Sequence, residues 1–288
     1  MDAFWIILTG VLVASSCGLL GCFLLLRKMT MVGDAISHAV LPGIVIAYLI
    51  SGSINNVPML VGAAIFGVIV TVLIEMLSKR GGLQEDAAIG VSFTALFAIG
   101  VILISFLAGS VDLDQDCVLY GEIAYVPLDV WEWNGVEMGP AATWMLGGNL
   151  LLVIAFILFG YKGLKLTSFD PVYATSIGVS VNLWHYALMG AVSMTTVFSF
   201  ESVGAIMVVA FLVGPAAIAY LLTEKLSIML ALSVVAGVIA AIGGYYLALW
   251  LDGSIAGAMS AMIGIEFMLA FLFSPSQGIL NKKKRLAV

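Results

Sequence analysis

The stretch RKMTMVGDAISHAVLPGIVIAYLI, residues 27–50, decides how the chain is read. After Lys28 it holds one acid, Asp34, and one imidazole, His38, at the start of a long apolar run. If the segment is helical from about Gly33, the four-residue spacing sets carboxylate and imidazole on one helix face. Ionisable groups in bilayer-spanning segments are costly and mark ion or substrate paths. A carboxylate oxygen beside an imidazole nitrogen makes a ligand pair suited to a divalent transition metal. The competing assignment makes Asp34 a plain helix N-cap after Gly33 and packs His38 in a polar bundle interior.

The rest of the chain supplies the membrane. Hydrophobic residues make up 62% of the 288 and charged ones 10%. The mean hydropathy of +1.17 lies far outside the range of soluble domains. Apolar stretches fall near 4–26, 36–50, 57–77, 88–109, 141–160, 183–200, 203–222, 227–250 and 254–273, against the roughly 20 residues a spanning helix needs. The second and sixth are short. The expected fold is therefore an all-α polytopic membrane protein of eight or nine transmembrane helices, in a single domain over residues 1–288 with no linker. The first stretch lacks a basic leading segment and is too long for the core of a cleaved signal peptide.

Basic residues argue for nine spans. Arg27 and Lys28 follow the first, Lys79 and Arg80 the third, Lys162 and Lys165 the fifth, and Lys225 the seventh. Lys282, Lys283, Lys284 and Arg285 follow the ninth. With nine spans all eleven share one face, which puts the N-terminus outside and the C-terminus in the cytoplasm. One consequence is awkward. Asp34 lies six residues after Lys28, about 9 Å along a helix. A site at the bilayer midplane requires the loop after Lys28 to re-enter the bilayer before the second helix begins.

The opposite face carries an acidic loop at about 110–140, with Asp112, Asp114 and Asp116 among its seven acids and no basic residue. It is either a vestibule that attracts cations or a solvated loop left acidic because basic residues are kept inside. The three cysteines suggest no disulfide framework: Cys17 and Cys22 share the first span, and Cys117 stands alone in the outer loop.

Absent motifs narrow the function. There is no GxxxxGK[ST] phosphate loop, so ATP hydrolysis by this chain alone is not expected, and HExxH, GxSxG and CxxC are missing too. Nothing points to a nucleic-acid partner. A loop at about 162–182 has the form of a docking element. Asp170-Pro171 reads as N-cap and first position of a short helix, with Ala174 and Gly178 forming a smooth small-residue face. A loop helix with no partner would have the same sequence. Two rows of small residues, Ser233-Gly237-Ala241 and Gly253-Gly257-Ala261, read as helix-packing faces.

Four blocks carry a family likeness: RKMTMVGDAISHAVLPG at 27–43, FDPVYATSIGV at 169–179, SVGAIMVVAFLVGPAAIAYLL at 202–222 and, more weakly, LDGSIAGAMSAMIG at 251–264. The chain resembles the membrane permease subunits of ATP-binding-cassette importers for manganese, zinc and iron. The resemblance implies the permease fold of the vitamin B12 and siderophore importers and a prokaryotic cytoplasmic membrane. It implies two permease copies around a central path, separate cytoplasmic ATPases and an extracellular binding protein. It also implies metal contact at Asp34 and His38 and ATPase docking at Asp170, Pro171, Ala174 and Gly178. No permanently bound cofactor is implied, only a transported divalent ion. The segment DLDQDCVLYGEI is closer to the manganese-type branch than to the zinc type. The alternative is an ion-gradient-driven metal carrier, with Asp34 and His38 as a coupled proton and metal site and no ATPase.

Overall fold

A computed structural model describes residues 2–51, 56–107, 123–133 and 136–274. The helices are α1 (Asp2–Leu26), α2 (Met31–Ser51), α3 (Asn56–Lys79), α4 (Glu85–Leu107), α5 (Ala141–Phe169), α6 (Pro171–Ser176), α7 (Val181–Val203), α8 (Ala205–Leu222), α9 (Leu226–Leu251) and α10 (Ile255–Phe273). Between α4 and α5 lies a short 3-10 turn, Ile123–Leu128. A small antiparallel hairpin follows it, β1 (Val130–Trp133) with β2 (Val136–Pro140). The 123–140 part of the acidic loop is thus not wholly irregular, and among the described residues the fold is all-α apart from that hairpin.

Eight of these helices are long and apolar enough to cross a bilayer. The ninth long helix, α7, has 23 residues but is more polar. Its Ser193, Thr195, Thr196, Ser199 and Ser202 are all buried against neighbouring helices. Both stretches that looked short in the sequence are therefore full-length helices. Polar residues had interrupted their apolar runs: Asp34 and His38 in α2, and His185 with the hydroxyl series in α7. Buried hydroxyls cost little where a carbonyl or amide accepts from them. Ser193 Oγ donates to the Ala64 carbonyl at 3.1 Å and Thr195 Oγ1 to Asn149 Oδ1 at 3.2 Å.

Small residues set the packing at the centre. Gly10, Ala14 and Gly18 of α1 meet Ala241, Gly237 and Ser233 of α9 in antiparallel order, a four-residue ladder that lets the two backbones close up. The first small-residue row is thus a packing seam. The second is not packed within the chain: Gly257 and Ala261 are exposed. Gly43 of α2 and Gly62 of α3 lie backbone to backbone, where a Cβ on either would overlap the other's carbonyl.

The ends sort consistently. Arg27 meets the end of α5, Glu75 near the end of α3 meets the start of α7, and Ser274 after α10 donates to Leu221 near the end of α8. One end of the bundle therefore carries Arg27, Lys28, Lys79, Arg80 and Lys225, with Lys162 and Lys165 in the last turns of α5. Below it is called the basic end.

Candidate functional site

Helix α1 stops in a Schellman motif. Met29 N–H donates to the Leu24 carbonyl at 2.9 Å and Lys28 N–H to Leu25 at 3.0 Å, with Lys28 left-handed at φ 62°. Only four residues later α2 begins, at Met31 rather than Gly33, so Asp34 is in its first turn and not its N-cap. Despite that, Asp34 is deep in the bundle. A Cβ on Gly33 would strike Leu212, close to the midpoint of α8. Ile36 lies against Gly67, at the midpoint of α3, and Gly67 in turn meets Ser193 near the midpoint of α7. Contacts with α8 and α3 thus place Asp34 and His38 midway along the bundle, level with the middle of α7. The conflict resolves because the α1–α2 turn is set back relative to α3, which runs on from Gly67, beside Ile36, to Lys79 at the basic end.

One stripe of α2 stays open. Val32, Gly33, Ala35, Ile36, Ala39 and Val40 are buried, whereas Asp34, Ser37, His38 and Leu41 are half-exposed. The side chains of Asp34 and His38 keep 43% and 30% of their surface, enough for an ion to reach them. Asp34 Oδ1 and His38 Nε2 stand 3.8 Å apart, too far for a hydrogen bond. Two metal–ligand bonds of about 2.1 Å each span that gap at an angle somewhat wider than tetrahedral. On α4, Phe93 stacks on the His38 ring at 5.2 Å and Phe97 meets it edge-on at 5.7 Å. These rings hold the imidazole toward Asp34 and leave the site a polar strip on an apolar wall. Pro42 lies inside α2 four residues on and has no N–H for the His38 carbonyl. Among the described residues no group of three or more His, Cys, Asp or Glu gathers around one point. Among the described residues, Asp34 and His38 are thus the acid and imidazole donors gathered at this point.

The docking segment folds as its capping residues dictate, with one correction. Asp170 Oδ1 accepts from Tyr173 N–H at 2.8 Å and Pro171 occupies the first helical position. Helix α6 then ends after Ser176. Gly178 lies beyond it as the left-handed residue of a second Schellman motif, at φ 83°. Val179 N–H donates to Ala174 at 2.9 Å and Gly178 N–H to Thr175 at 3.1 Å. The smooth face expected of Ala174 and Gly178 is not what α6 presents. Ala174 is buried and Gly178 is outside the helix; the exposed face carries Val172 (80%) and Tyr173 (53%), with Ile177 (53%) at its C-cap and Phe169 just before it. The helix has under two turns, so a four-residue row cannot run along it.

Two features escaped the sequence reading. Glu75 of α3 and His185 of α7 form a second carboxylate–imidazole pair, Oε2 to Nε2 3.8 Å, with both facing atoms buried and without a hydrogen bond. Lys79 holds the other oxygen of Glu75. With 110 positions between them, no spacing rule could join the two. The second feature is Arg27, half-buried, whose Nε donates to Ser168 Oγ at 3.0 Å and whose terminal nitrogen donates to Thr167 Oγ1 at 2.8 Å. Burial lowers its pKa from the ordinary value, yet a guanidinium stays charged at physiological pH. The capped end of α1, with its basic dipeptide, was the only local hint. Asp112, Asp114, Asp116 and Cys117 lie outside the described residues, as do Lys282–Arg285.

The model of the ABC 3 transport family matches residues 3–274. The manganese transport system membrane protein MntD of Bacillus subtilis is 52% identical over 98% of this chain and 95% of its own length. The zinc transport system membrane protein TroD of Treponema pallidum is 44% identical over 96% of this chain and 75% of its own. Among solved structures, PsaBC from Streptococcus pneumoniae in complex with Fab superposes with a TM-score of 0.79 at 30% identity, covering 97% of this chain and 94% of that one. An inward-facing metal-chelate type ABC transporter shares the fold at 16% identity, with a TM-score of 0.66 over 93% of this chain and 84% of that one. A multi-pass bundle, an open acid–histidine stripe at its middle and a family match over nearly its whole length lead to one assignment: the chain belongs to the ABC 3 transport family.

Proposed function

We propose that the chain is the membrane-spanning subunit of an ATP-driven importer for a divalent transition metal, manganese first and zinc or iron(II) after it. One observation carries the reading: Asp34 and His38 stand on an open stripe at mid-bundle, separated by a distance one cation can bridge. Manganese and zinc transport system proteins at 52% and 44% identity support the cargo class. Ligand type alone does not choose between these metals, since zinc binds most nitrogen and oxygen sites more tightly than manganese. A second copy across a twofold axis would supply the same two ligands again, four in all. Such a set holds a cation without thiolates and so releases it readily.

In this reading the basic end lies in the cytoplasm and the N-terminus outside, as the charge asymmetry requires. An extracellular binding protein delivers the ion to the acidic outer loop, where Asp112, Asp114 and Asp116 draw cations in. ATP is hydrolysed on separate subunits seated on α6. Family membership speaks against the gradient-driven carrier, which would need no docking helix.

The test is metal uptake into vesicles holding the chain with its ATPase and binding protein. Asp34→Asn and His38→Ala are each expected to lower uptake by about a hundredfold, at least the upper end of what losing a mere outer-shell partner costs. ATPase association should stay intact. Uptake near wild-type rates in both variants overturns the site; gradient-dependent uptake without the ATPase overturns the importer.

A further inference from the structure

The short helix α6 is tied into the bundle on both sides. Immediately before it, Thr167 and Ser168 at the end of α5 accept the two hydrogen bonds of Arg27. Arg27 belongs to the recessed turn that launches α2, seven residues ahead of Asp34. Soon after α6, His185 in the second turn of α7 faces Glu75 of α3, which Lys79 also engages. Helix α3 is the one that lies backbone to backbone with α2 at Gly43 and Gly62 and against Ile36 at Gly67. The chain thus leaves the bundle for α6 from a residue bonded to the root of α2. It returns to a residue facing the helix that flanks α2.

We infer that Arg27, with Thr167 and Ser168, and the Glu75–His185 pair are positioning residues that make α6 and the root of α2 one rigid unit, so that a displacement of α6 moves Asp34 and His38. The inference rests on α6 being the ATPase seat. Charge favours Arg27 for this task. A guanidinium donates from several nitrogens in one plane, so two hydrogen bonds fix its direction as well as its distance. A single lysine ammonium would fix distance alone. Glu75 Oε2 and His185 Nε2 are buried and face each other without a bond. Moving α3 away from α7 would take from each of these buried polar atoms the other's attraction across 3.8 Å, which disfavours their separation. No residue of this set touches the cation or the exposed face of α6. Loss of coupling is therefore separable from loss of binding and from loss of docking.

The experiment uses the chain with its ATPase and binding protein in vesicles, reading manganese uptake, ATP hydrolysis and ATPase co-purification together. Arg27→Gln is expected to lower manganese moved per ATP at least tenfold, with co-purification and basal hydrolysis within twofold of wild type. A second variant guards against misfolding. Arg27→Cys with Ser168→Cys, in a chain with its native cysteines replaced by alanine, should be uncoupled when free. A short bis-maleimide linker, which adds to both thiols and is verified by mass, should then restore most of the coupling. Normal uptake by Arg27→Gln overturns the inference, as does a verified cross-link that fails to restore coupling or that stops residual transport. Loss of ATPase co-purification with Arg27→Gln also overturns it, because Arg27 would then belong to the seat. Failure of the docking reading shows separately: charged substitutions on the face of α6 would leave ATPase association unchanged.

Discussion

The chain has two histidines, and each faces a carboxylate across 3.8 Å, yet the two pairs are in opposite situations. Asp34 and His38 share one helix, keep 43% and 30% of their side-chain surface and, among the described residues, pair with no lysine or arginine. Glu75 and His185 join two helices, keep about 15% of their surface, and Glu75 already has Lys79 on its other oxygen. They stand roughly two turns apart along α3, about 12 Å at 1.5 Å per residue. The comparison teaches that ligand chemistry alone does not make a cation path. In the proposed function the open stripe with its unpaired acid receives the ion, whereas the enclosed acid with its own ammonium is the one proposed to hold helices together.

The comparison breaks if the second pair also binds cargo. Manganese titration of the purified complex should be lost by about a hundredfold in affinity for Asp34→Asn, while His185→Gln leaves affinity within twofold and keeps a polar partner for Glu75. Equal losses in both would make Glu75 and His185 a second stop on the path. They would also remove the ground for treating that pair as a tie.

A smaller effect sharpens the same contrast at the basic end, between what faces out and what supports it. Val172 and Ile177 project from α6, whereas Ala174 and Gly178 shape its interior and its end. Val172→Asp or Ile177→Asp should weaken ATPase association by about 2 kcal/mol, the scale of an interface anchor, or roughly thirtyfold. Ala at Gly178 should cost about 1 kcal/mol of local stability through its left-handed backbone and leave association largely intact. Co-purification at graded salt reads the first, limited proteolysis of the 169–181 loop the second. Association unchanged in both Asp variants would move the seat elsewhere, most plainly to the loop between α3 and α4.

Much of this was legible in the sequence because it is local. The 3.6-residue repeat and the i,i+4 spacing set Asp34 beside His38, and Asp170-Pro171 capped α6 as their chemistry requires. The row at Ser233, Gly237 and Ala241 packed as such rows do. What was not legible depends on partners far along the chain. The depth of Asp34 follows from Leu212, Gly67 and Ser193, and the Glu75–His185 pair from the packing of α3 on α7. The length of α6 was misjudged for a different reason. Gly178 fits either a small helical face or a left-handed terminator, and only the hydrogen bonds of Val179 and Gly178 distinguish them. The row at Gly257 and Ala261, unpacked in one chain, is the same pattern as its partner row and could not be told from it by spacing.

The smallest expected effect concerns the hinge between the comparison's two halves. Lys28 is left-handed at φ 62°, a conformation that costs a residue with a Cβ about 1 kcal/mol and costs glycine almost nothing. A lysine there stores strain in the turn that leads from α1, past Arg27, into the helix carrying Asp34. Lys28→Gly relieves it, offset in part by the greater freedom of glycine in the unfolded chain. The net gain should be roughly 0.5–1 kcal/mol, a rise of about 1–4 °C in the melting temperature for a chain of this size. The basic end loses one of its charges, too few to alter its sidedness. If the turn only connects two helices, uptake should be unchanged as stability rises. If its shape helps to transmit motion from α6 to α2, the relaxed turn should be more stable and less well coupled. Melting by intrinsic tryptophan fluorescence alongside manganese moved per ATP separates the two. A lower melting temperature would show that the lysine side chain, and not its backbone, is what the turn requires.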